Sequence, residues 1–282
     1  MKRVIIWGLG TVFLKYYNLI KYFECINEIN VIGVTAQSKD YIGIGDYQFI
    51  SPEKIKREKV DVIIVANDSF KETVGYGLKC GILKELFAPA RVLTVPNFSF
   101  EKYCRLKNEK ISIISQNCWG GLIYNYLGLE FFSPFINLSV STKDMIKLMS
   151  DFSHYMKCDL EFSTMKYNET SHDYYPVGRI DDVELKFIHY SNFAEAKEKW
   201  IRRKQRINYD NLLYMTYTEE KILAKKIANI DVKRKICFTP FEYEADCVYT
   251  IKKINENPFY DFVNGSANGR YYYYNPSDLL MK

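Results

Sequence analysis

Residues 3–10 read RVIIWGLG, and this stretch decides the fold of the first part of the chain. An apolar, β-branched run that ends at two glycines predicts a buried strand followed by a tight turn. Apolar residues then recur at helical spacing, at Val12, Phe13, Tyr16, Leu19, Ile20 and Phe23. Strand, glycine turn and helix open a nucleotide-binding βαβ unit, in which backbone N–H groups at the helix start approach a phosphate. Gly8, Gly10 and Thr11 are therefore the candidate cofactor-binding residues.

Two more strands are predicted, at residues 30–35 (NVIGVT) and 60–66 (VDVIIVA), with a helix capped by Ser51 between them. We therefore expect a Rossmann-like parallel-sheet domain over residues 1–105. Dinucleotide binding is disfavoured, because Phe13 occupies the place of the third glycine and Thr35 stands where an acidic residue usually holds the ribose. A plain scaffold, or one that holds a nucleotide-sugar, is favoured, and no cofactor is assigned.

Composition limits the classes of function. With 282 residues, of which 48% are hydrophobic and 26% charged, the chain is long enough for two globular domains. Its net charge of +5 is small for a nucleic-acid binder, so no nucleic-acid partner is expected. The seven cysteines include no CxxC pair, which indicates reduced thiols and predicts neither a disulfide framework nor a metal site. No apolar stretch is long enough to span a membrane, and a cytoplasmic location is expected.

A second α/β domain is expected over residues 106–282. Residues 111–121, ISIISQNCWGG, again predict a strand, a polar turn and a helix, and α/β folds place ligands at such strand ends. Ser115 and Cys118 are candidate nucleophiles, Asn117 is a candidate oxyanion donor, and Gly120 and Gly121 are candidate ligand-binding residues. A helix N-terminus is expected to lower a thiol pKa here. In the alternative interpretation, Asn117 caps the helix and Cys118 is a small buried hydrophobe.

Three strings in this region carry a family resemblance: SQNCWGGLIYNYLGLEFFSPFINL (115–138), YYPVGRIDDVELKFIHY (174–190) and FAEAKEKWIRRKQRINYDNLLYM (193–215). Together they resemble, over about residues 108–282, the bacterial domain-of-unknown-function family nineteen-nineteen. Its members are often labelled exopolysaccharide-biosynthesis proteins, so the resemblance implies a place in surface-polysaccharide synthesis but no established activity. The first hundred residues are similar to the N-terminal domains of sugar-modifying enzymes, such as sialic-acid or amino-sugar acyltransferases.

His189, at the end of a predicted strand over 183–188, is the candidate general acid or base. Asp182, in the charged turn before that strand, is its candidate orienting residue. A structural histidine and a solvated acidic turn are the alternatives. We expect the 115–121 turn and His189 at the carboxyl ends of neighbouring strands in one sheet. The arrangement is similar to that of SGNH-type esterases and acyltransferases, although the chain has neither a GDS string nor a late DxxH.

A basic helix is predicted over residues 194–206, and Arg203 and Arg206 are its candidate phosphate-binding residues. The alternative is a solvated face. Replacing both arginines by Glu is expected to weaken ligand binding and to leave folding nearly unchanged. Asn208, Asp210 and Asn211 follow, and they either brace one turn or hold a ligand hydroxyl.

The sequence thus predicts a transferase or hydrolase that acts on an activated sugar or glycan in surface-polysaccharide biosynthesis. The alternative is a non-catalytic nucleotide-sugar-binding or regulatory module. Either interpretation implies a small-molecule sugar or nucleotide-sugar ligand, and the oligomeric state stays open.

Overall fold

The structure, a computed structural model, describes residues 1–37, 47–251, 259, 262–263 and 274–280. The chain divides into two compact units. Unit 1 comprises residues 1–109 and 126–129, and unit 2 comprises residues 110–125 and 130–280. No helix among the described residues is long and apolar enough to cross a membrane.

Unit 1 contains a four-stranded parallel sheet with the strand order β2-β1-β3-β4. Its elements are β1 (Lys2–Trp7), α1 (Thr11–Cys25), β2 (Ile29–Thr35), α2 (Pro52–Ile55), β3 (Val62–Val65), α3 (Phe70–Lys79), β4 (Phe87–Pro89) and α4 (Phe100–Asn108), with 3-10 turns at Lys84–Leu86 and Ala90–Thr94. The central strands β1 and β3 are buried almost throughout, as their continuous apolar runs require.

The turn between β1 and α1 depends on Gly8. Its φ of +108° lies in the region that favours glycine, and a Cβ there would lie 2.6 Å from the carbonyl oxygen of Ala66. Its N–H donates to the carbonyl of Thr35 at 2.9 Å, which joins the turn to the end of β2. Gly10, the N-cap of α1, has a negative φ, and no atom lies within 4 Å of the Cβ position. The glycine turn predicted between strand and helix is therefore present.

The polar segment from residue 98 to 110, which spans the domain boundary expected after residue 105, contains helix α4. Phe100, Tyr103 and Leu106, spaced three residues apart, are buried on one face of it. The charged residues between them occupy the exposed face, which is why the segment lacks a long apolar run. The helix therefore belongs to unit 1, which extends to residue 109.

Unit 2 contains two sheets. A parallel sheet has the order β12-β11-β10-β5, and an antiparallel sheet, which the sequence did not predict, has the order β6-β9-β8-β7. The elements are β5 (Ser112–Ser115), α5 (Trp119–Tyr126), β6 (Ser139–Val140), α6 (Thr142–Ser150), α7 (Phe152–Tyr155), β7 (Glu161–Asn168), β8 (Asp173–Ile180), β9 (Val183–Lys186), α8 (Phe193–Lys204), β10 (Leu212–Tyr217), α9 (Lys221–Asn229), β11 (Lys235–Thr239), β12 (Val248–Thr250) and α10 (Pro276–Leu280). The expected α/β class, with mixed helices and parallel sheets, is confirmed.

One hydrophobic core joins the two sheets of unit 2. Ile114 of β5 and Leu185 of β9 are fully buried in the same cluster. Trp200 of α8 packs there against Phe135 and Phe187, with ring centroids 5.3 and 6.4 Å away. This shared core holds the end of β5 and the end of β9 in fixed positions.

Candidate functional site

The turn after β5 is closed by its own polar side chains. The Ser115 hydroxyl donates to the carbonyl of Asn117 at 2.8 Å and accepts the N–H of Gly120 at 3.1 Å. The Asn117 side-chain oxygen accepts the N–H of Trp119 at 2.9 Å. Both side chains therefore satisfy N–H groups at the start of α5, which otherwise lack partners. Because Ser115 is also fully buried, its geometry favours a capping role over that of a nucleophile.

Close packing requires glycine at one of the two turn positions, Gly120, and not at the other, Gly121. A Cβ at Gly120 would lie 2.8 Å from the Cβ of Ser115, so close packing requires glycine there. The nearest atom to a Cβ at Gly121 would be a methyl carbon of Ile136 at 3.4 Å, an ordinary contact. Since the Gly120 N–H is used by Ser115, this glycine closes the turn and does not offer its N–H to a ligand.

Cys118 and His189 lie in contact. Sγ of Cys118 is 3.2 Å from Nε2 of His189, although 71 residues separate them along the chain. Cys118 is partly buried directly before α5, and His189 is exposed in a turn where the N–H of Tyr190 donates to the carbonyl of Phe187 at 3.0 Å. A thiol within hydrogen-bond reach of an imidazole is the arrangement of a nucleophile beside a base.

The expectation that these groups lie on neighbouring strands of one sheet is wrong. Cys118 follows β5 of the parallel sheet, whereas His189 follows β9 of the antiparallel sheet. The carbonyl of Gln116 accepts the N–H of Val140 at 2.8 Å, and Val140 pairs with Leu185 of β9. This short β6 connection brings the ends of the two sheets together.

Burial determines the charge of both groups. Burial raises the pKa of the Cys118 thiol above its usual value, against a smaller opposing effect of the Cys118 backbone N–H, and partial loss of hydration around the ring lowers the pKa of the otherwise exposed His189. The lowered thiol pKa expected at a helix start is therefore not found, since loss of hydration outweighs it. Near pH 7 both side chains are neutral. With the imidazole proton on Nδ1, Nε2 can accept the thiol proton.

Asp182 does not orient His189. Its carboxylate accepts the hydroxyl of Tyr155 at 2.9 Å and pairs with Nζ of Lys147 at 2.9 Å. These partners, Lys147 first, lower the pKa of Asp182. Asp182 precedes β9 and His189 follows it, so the two residues lie at opposite ends of one strand. The proposed orienting role is wrong for this reason.

The basic helix α8 presents its two candidate arginines differently. Nη1 of Arg203 donates to the hydroxyl of Tyr190 at 2.7 Å, and its guanidinium lies 5.7 Å from the centre of the Phe131 ring. Arg203 is thus packed beside the residue that follows His189. Arg206 lies beyond the helix end and pairs at the surface with Glu130 at 3.7 Å.

Asn208, Asp210 and Asn211 form a braced turn. Oδ1 of Asn208 accepts the backbone N–H of Asp210 at 3.2 Å, and the backbone carbonyl of Asn208 accepts the N–H of Asn211 at 3.2 Å. The backbone N–H of Asn208 donates to the hydroxyl of Ser112 at 2.8 Å. The turn leads into the amino end of β10, and Leu212 pairs in parallel with Ser112 at the amino end of β5. It therefore lies at the end of the sheet opposite Cys118. These hydrogen bonds agree with the turn-bracing alternative, and the expected ligand-binding role of the three residues stays a prediction that does not involve Cys118.

Asn117 offers one unused donor. Its side-chain nitrogen is buried without a hydrogen-bond partner in the part of the chain that the structure describes. The residue is only 4% exposed, and the bond to Trp119 fixes the orientation of its amide. A buried, unpaired donor costs about 1–3 kcal/mol, so an oxygen atom of a ligand would relieve it.

Unit 1 has a separate cavity of about 440 Å³ at the carboxyl ends of its strands. Its lining includes the start of α1 at Thr11, the cations Lys15 and Arg91, and the polar pair Asn67 and Asp68. Thr11, expected from the sequence, lines this cavity. Gly8 and Gly10 shape the turn that precedes it.

The sequence interpretation missed most of this lining. Asn67 and Asp68 come directly after β3, and Arg91 comes two residues after β4. The rule that α/β sheets bind ligands at carboxyl strand ends is the signal that identifies them. A separate group of possible metal ligands, His154, Cys158 and Asp181, lies in unit 2.

Comparison with known proteins covers both units. The model of the domain of unknown function DUF1919 matches residues 90–281, and the model described as C2185-like, N-terminal, matches residues 1–82. An uncharacterized protein of Haemophilus influenzae is 34% identical over 175 residues, which span 60% of this chain and 82% of that protein. The match confirms the family resemblance of the second half of the sequence, and the chain belongs to the DUF1919 family.

Proposed function

We propose that unit 2 is a thiol-dependent acyltransferase or esterase that acts on an activated sugar or glycan. One observation carries the proposal, the 3.2 Å contact between Sγ of Cys118 and Nε2 of His189 at the start of α5. Thiol and imidazole in contact are the minimal parts for nucleophilic acyl transfer. The assignment of the acceptor as a sugar rests on the resemblance to exopolysaccharide-associated proteins, and the cytoplasmic location stays a prediction.

The reaction would proceed in two balanced steps. In the first, His189 takes the thiol proton while Sγ attacks the acyl carbon of an ester or thioester donor, and the departing alcohol or thiol receives that proton. In the second, a sugar hydroxyl or water attacks the Cys118 thioester and gives its proton to His189, which passes it to the departing Sγ so that the thiol and the neutral imidazole are restored. The unpaired amide nitrogen of Asn117 supports the proposal as a donor to the oxyanion formed in each step.

The test is capture of the acyl intermediate. The purified chain is incubated with acetyl-coenzyme A or p-nitrophenyl acetate, then analysed by intact-mass and peptide-mapping mass spectrometry. We expect one acetyl group on Cys118, lost in Cys118→Ala and formed more slowly in His189→Ala. Cys25→Ala, which removes an exposed cysteine, is the matched control and should behave as the parent. Equal labelling in Cys118→Ala would overturn the proposal, as would equal rates in His189→Ala and the parent.

The second candidate function is a nucleotide-sugar-binding role for unit 1 as a Rossmann-like domain. The 440 Å³ cavity favours it, because Thr11 and Lys15 at the start of α1 suit a phosphate and Asp68 suits a sugar hydroxyl. Such a domain would hold its ligand without turnover.

A thermal-shift titration with UDP-glucose and UDP-N-acetylglucosamine tests this role. Ligand at 100 times its dissociation constant adds about 2.7 kcal/mol of stability. Lys15→Gln should reduce that gain. Lys79→Gln makes the same charge change at the far end of α3, outside the cavity, and should not. A gain unaffected by Lys15→Gln, or no gain with any nucleotide-sugar, would refute the role.

A further inference from the structure

A second group of reactive side chains lies away from Cys118, at one end of the antiparallel sheet. Nε2 of His154 is 2.7 Å from Oδ2 of Asp181 and 3.8 Å from Sγ of Cys158. The three ligand atoms all lie within 4.8 Å of one another. Nitrogen, thiol sulfur and carboxylate oxygen thus converge on one point.

Local structure fixes each of these residues. His154 is in α7, whose N-cap Asp151 accepts the backbone N–H of His154 at 3.1 Å. Cys158 follows four residues later, and its thiol donates to the His154 carbonyl at 3.4 Å. Asp181 occupies the turn between β8 and β9 with a φ of +51°. A capped helix, a thiol–carbonyl hydrogen bond and a tight turn therefore position the three side chains, without a long loop.

The neighbouring charges leave Asp181 available. The adjacent carboxylate, Asp182, is bound by Tyr155 and Lys147. Lys147 is further balanced by Asp144 at 3.2 Å. Lys147 is thus already paired, and Nζ of Lys204, a second nearby cation, donates to the carbonyl of Cys158 at 3.3 Å.

We propose that His154, Cys158 and Asp181 bind one zinc ion. Tetrahedral zinc geometry requires about 3.4 Å between a nitrogen and an oxygen ligand, and about 3.6 Å between a nitrogen and a sulfur ligand. The observed nitrogen–oxygen distance of 2.7 Å is shorter than its tetrahedral value, and the observed nitrogen–sulfur distance of 3.8 Å is slightly longer than its value. Since the side chains of His154 and Asp181 are 50% and 53% exposed, they are free to make the small adjustment.

The ligand chemistry selects the metal class. Thiolate and imidazole favour zinc over the hard cations magnesium and calcium, which prefer oxygen. Three protein ligands leave one tetrahedral position for water or an external ligand. The cysteine spacing predicted no metal site because the chain has no CxxC pair, whereas these ligands combine a His–Cys pair four residues apart with a carboxylate from a distant turn.

The test uses the full chain without a histidine tag, titrated with Co²⁺ and then displaced by Zn²⁺. Cobalt bound to a thiolate gives a charge-transfer absorption band in the near ultraviolet, which reports the cysteine directly. We expect a band that saturates at one equivalent and disappears on adding Zn²⁺ but not Mg²⁺. Cys158→Ser should abolish the band, whereas Cys118→Ser, the matched control at the other cysteine–histidine contact, should retain it.

A second variant guards against misfolding of Cys158→Ser. Asp181→Asn keeps the size of the side chain and tolerates the positive φ, so folding should be preserved. It should weaken cobalt binding at least about 10-fold, since even outer-shell changes at metal sites have effects of this size. A band that survives Cys158→Ser, or is lost in Cys118→Ser, would overturn the proposal. Absence of any band in the folded parent would do the same.

Discussion

Replacing Arg203 by Gln is expected to destabilise unit 2 by about 2–4 kcal/mol. The hydrogen bond from Nη1 to the Tyr190 hydroxyl, at 2.7 Å, is charge-assisted, and such bonds contribute about 1.5–3 kcal/mol. The guanidinium also lies 5.7 Å from the centre of the Phe131 ring, an interaction that adds about 0.5–1 kcal/mol. Tyr190 is buried beside His189, so the loss is felt next to the candidate site.

Arg206→Gln is the matched control, because it removes the same charge three residues away. Arg206 and Glu130 are 3.7 Å apart and each is 41% exposed, and ion pairs of this kind contribute about 0–1 kcal/mol. The expectation that both arginines could be changed with little effect on folding is therefore kept for Arg206. The structure revises it for Arg203.

Urea unfolding in a Trp7→Phe background measures the difference in stability between the Arg203→Gln and Arg206→Gln variants. The chain has three tryptophans, and the two that remain, Trp119 and Trp200, both belong to unit 2. Their fluorescence reports unit 2 alone, and the unfolding midpoints are compared at constant slope. Equal midpoints for the Arg203 and Arg206 variants would refute the reasoning. The reasoning would also be refuted if the free energy of unfolding of Arg203→Gln lay within about 0.5 kcal/mol of that of the parent, which is the range of ordinary surface substitutions.

Three further outcomes are expected. Gly8→Ala should destabilise unit 1 by at least about 2 kcal/mol, because a Cβ there strains the backbone and overpacks the turn. Gly10→Ala should destabilise it by less than about 1 kcal/mol, because the Cβ position is open. Hydrogen exchange of the β1 amides measures both changes. Alkylation of Cys118 by iodoacetamide should have its pH midpoint above the usual thiol value of 9.0, because burial raises its pKa, and a midpoint below 9.0 would contradict this. Burial lowers the pKa of Lys107 to about 8 from 10.5, so the unfolded chain binds more protons between these values. The stability of unit 1 should therefore rise with pH over that window, and Lys107→Met should remove the rise.

The sequence predicted the strands whose residues are mostly buried, because burial leaves a visible apolar pattern. Residues 30–35 and 60–66 predict strands because apolar, β-branched residues dominate both stretches, and the structure has β2 and β3 there. Strand β7, by contrast, is mostly exposed over Glu161–Asn168, so it carries no burial pattern that could identify it. Without β7 and its hairpin partner, the antiparallel sheet could not be inferred.

The structure brings together two candidate residues that each follow a strand, and it separates those that were grouped only by proximity in sequence. Cys118 and His189 both come just after strands, and the structure brings them into contact. Asp182 is seven residues from His189, yet an extended strand separates them. Asn208 likewise precedes a strand, which places it at the wrong end of the sheet. The direction of the chain through each strand therefore carries more information about a site than sequence distance does.

The charge state of the Cys118–His189 pair limits the chemistry that the proposed enzyme would perform. A thiol with a raised pKa beside an imidazole with a lowered pKa is not a preformed thiolate–imidazolium ion pair. Proton transfer must then accompany attack, and the nucleophile is weaker than a standing thiolate. A weaker nucleophile suits donors with good leaving groups, such as thioesters and activated esters, more than it suits amides. The electrostatics of the pair therefore support transfer of an already activated acyl group over peptide hydrolysis.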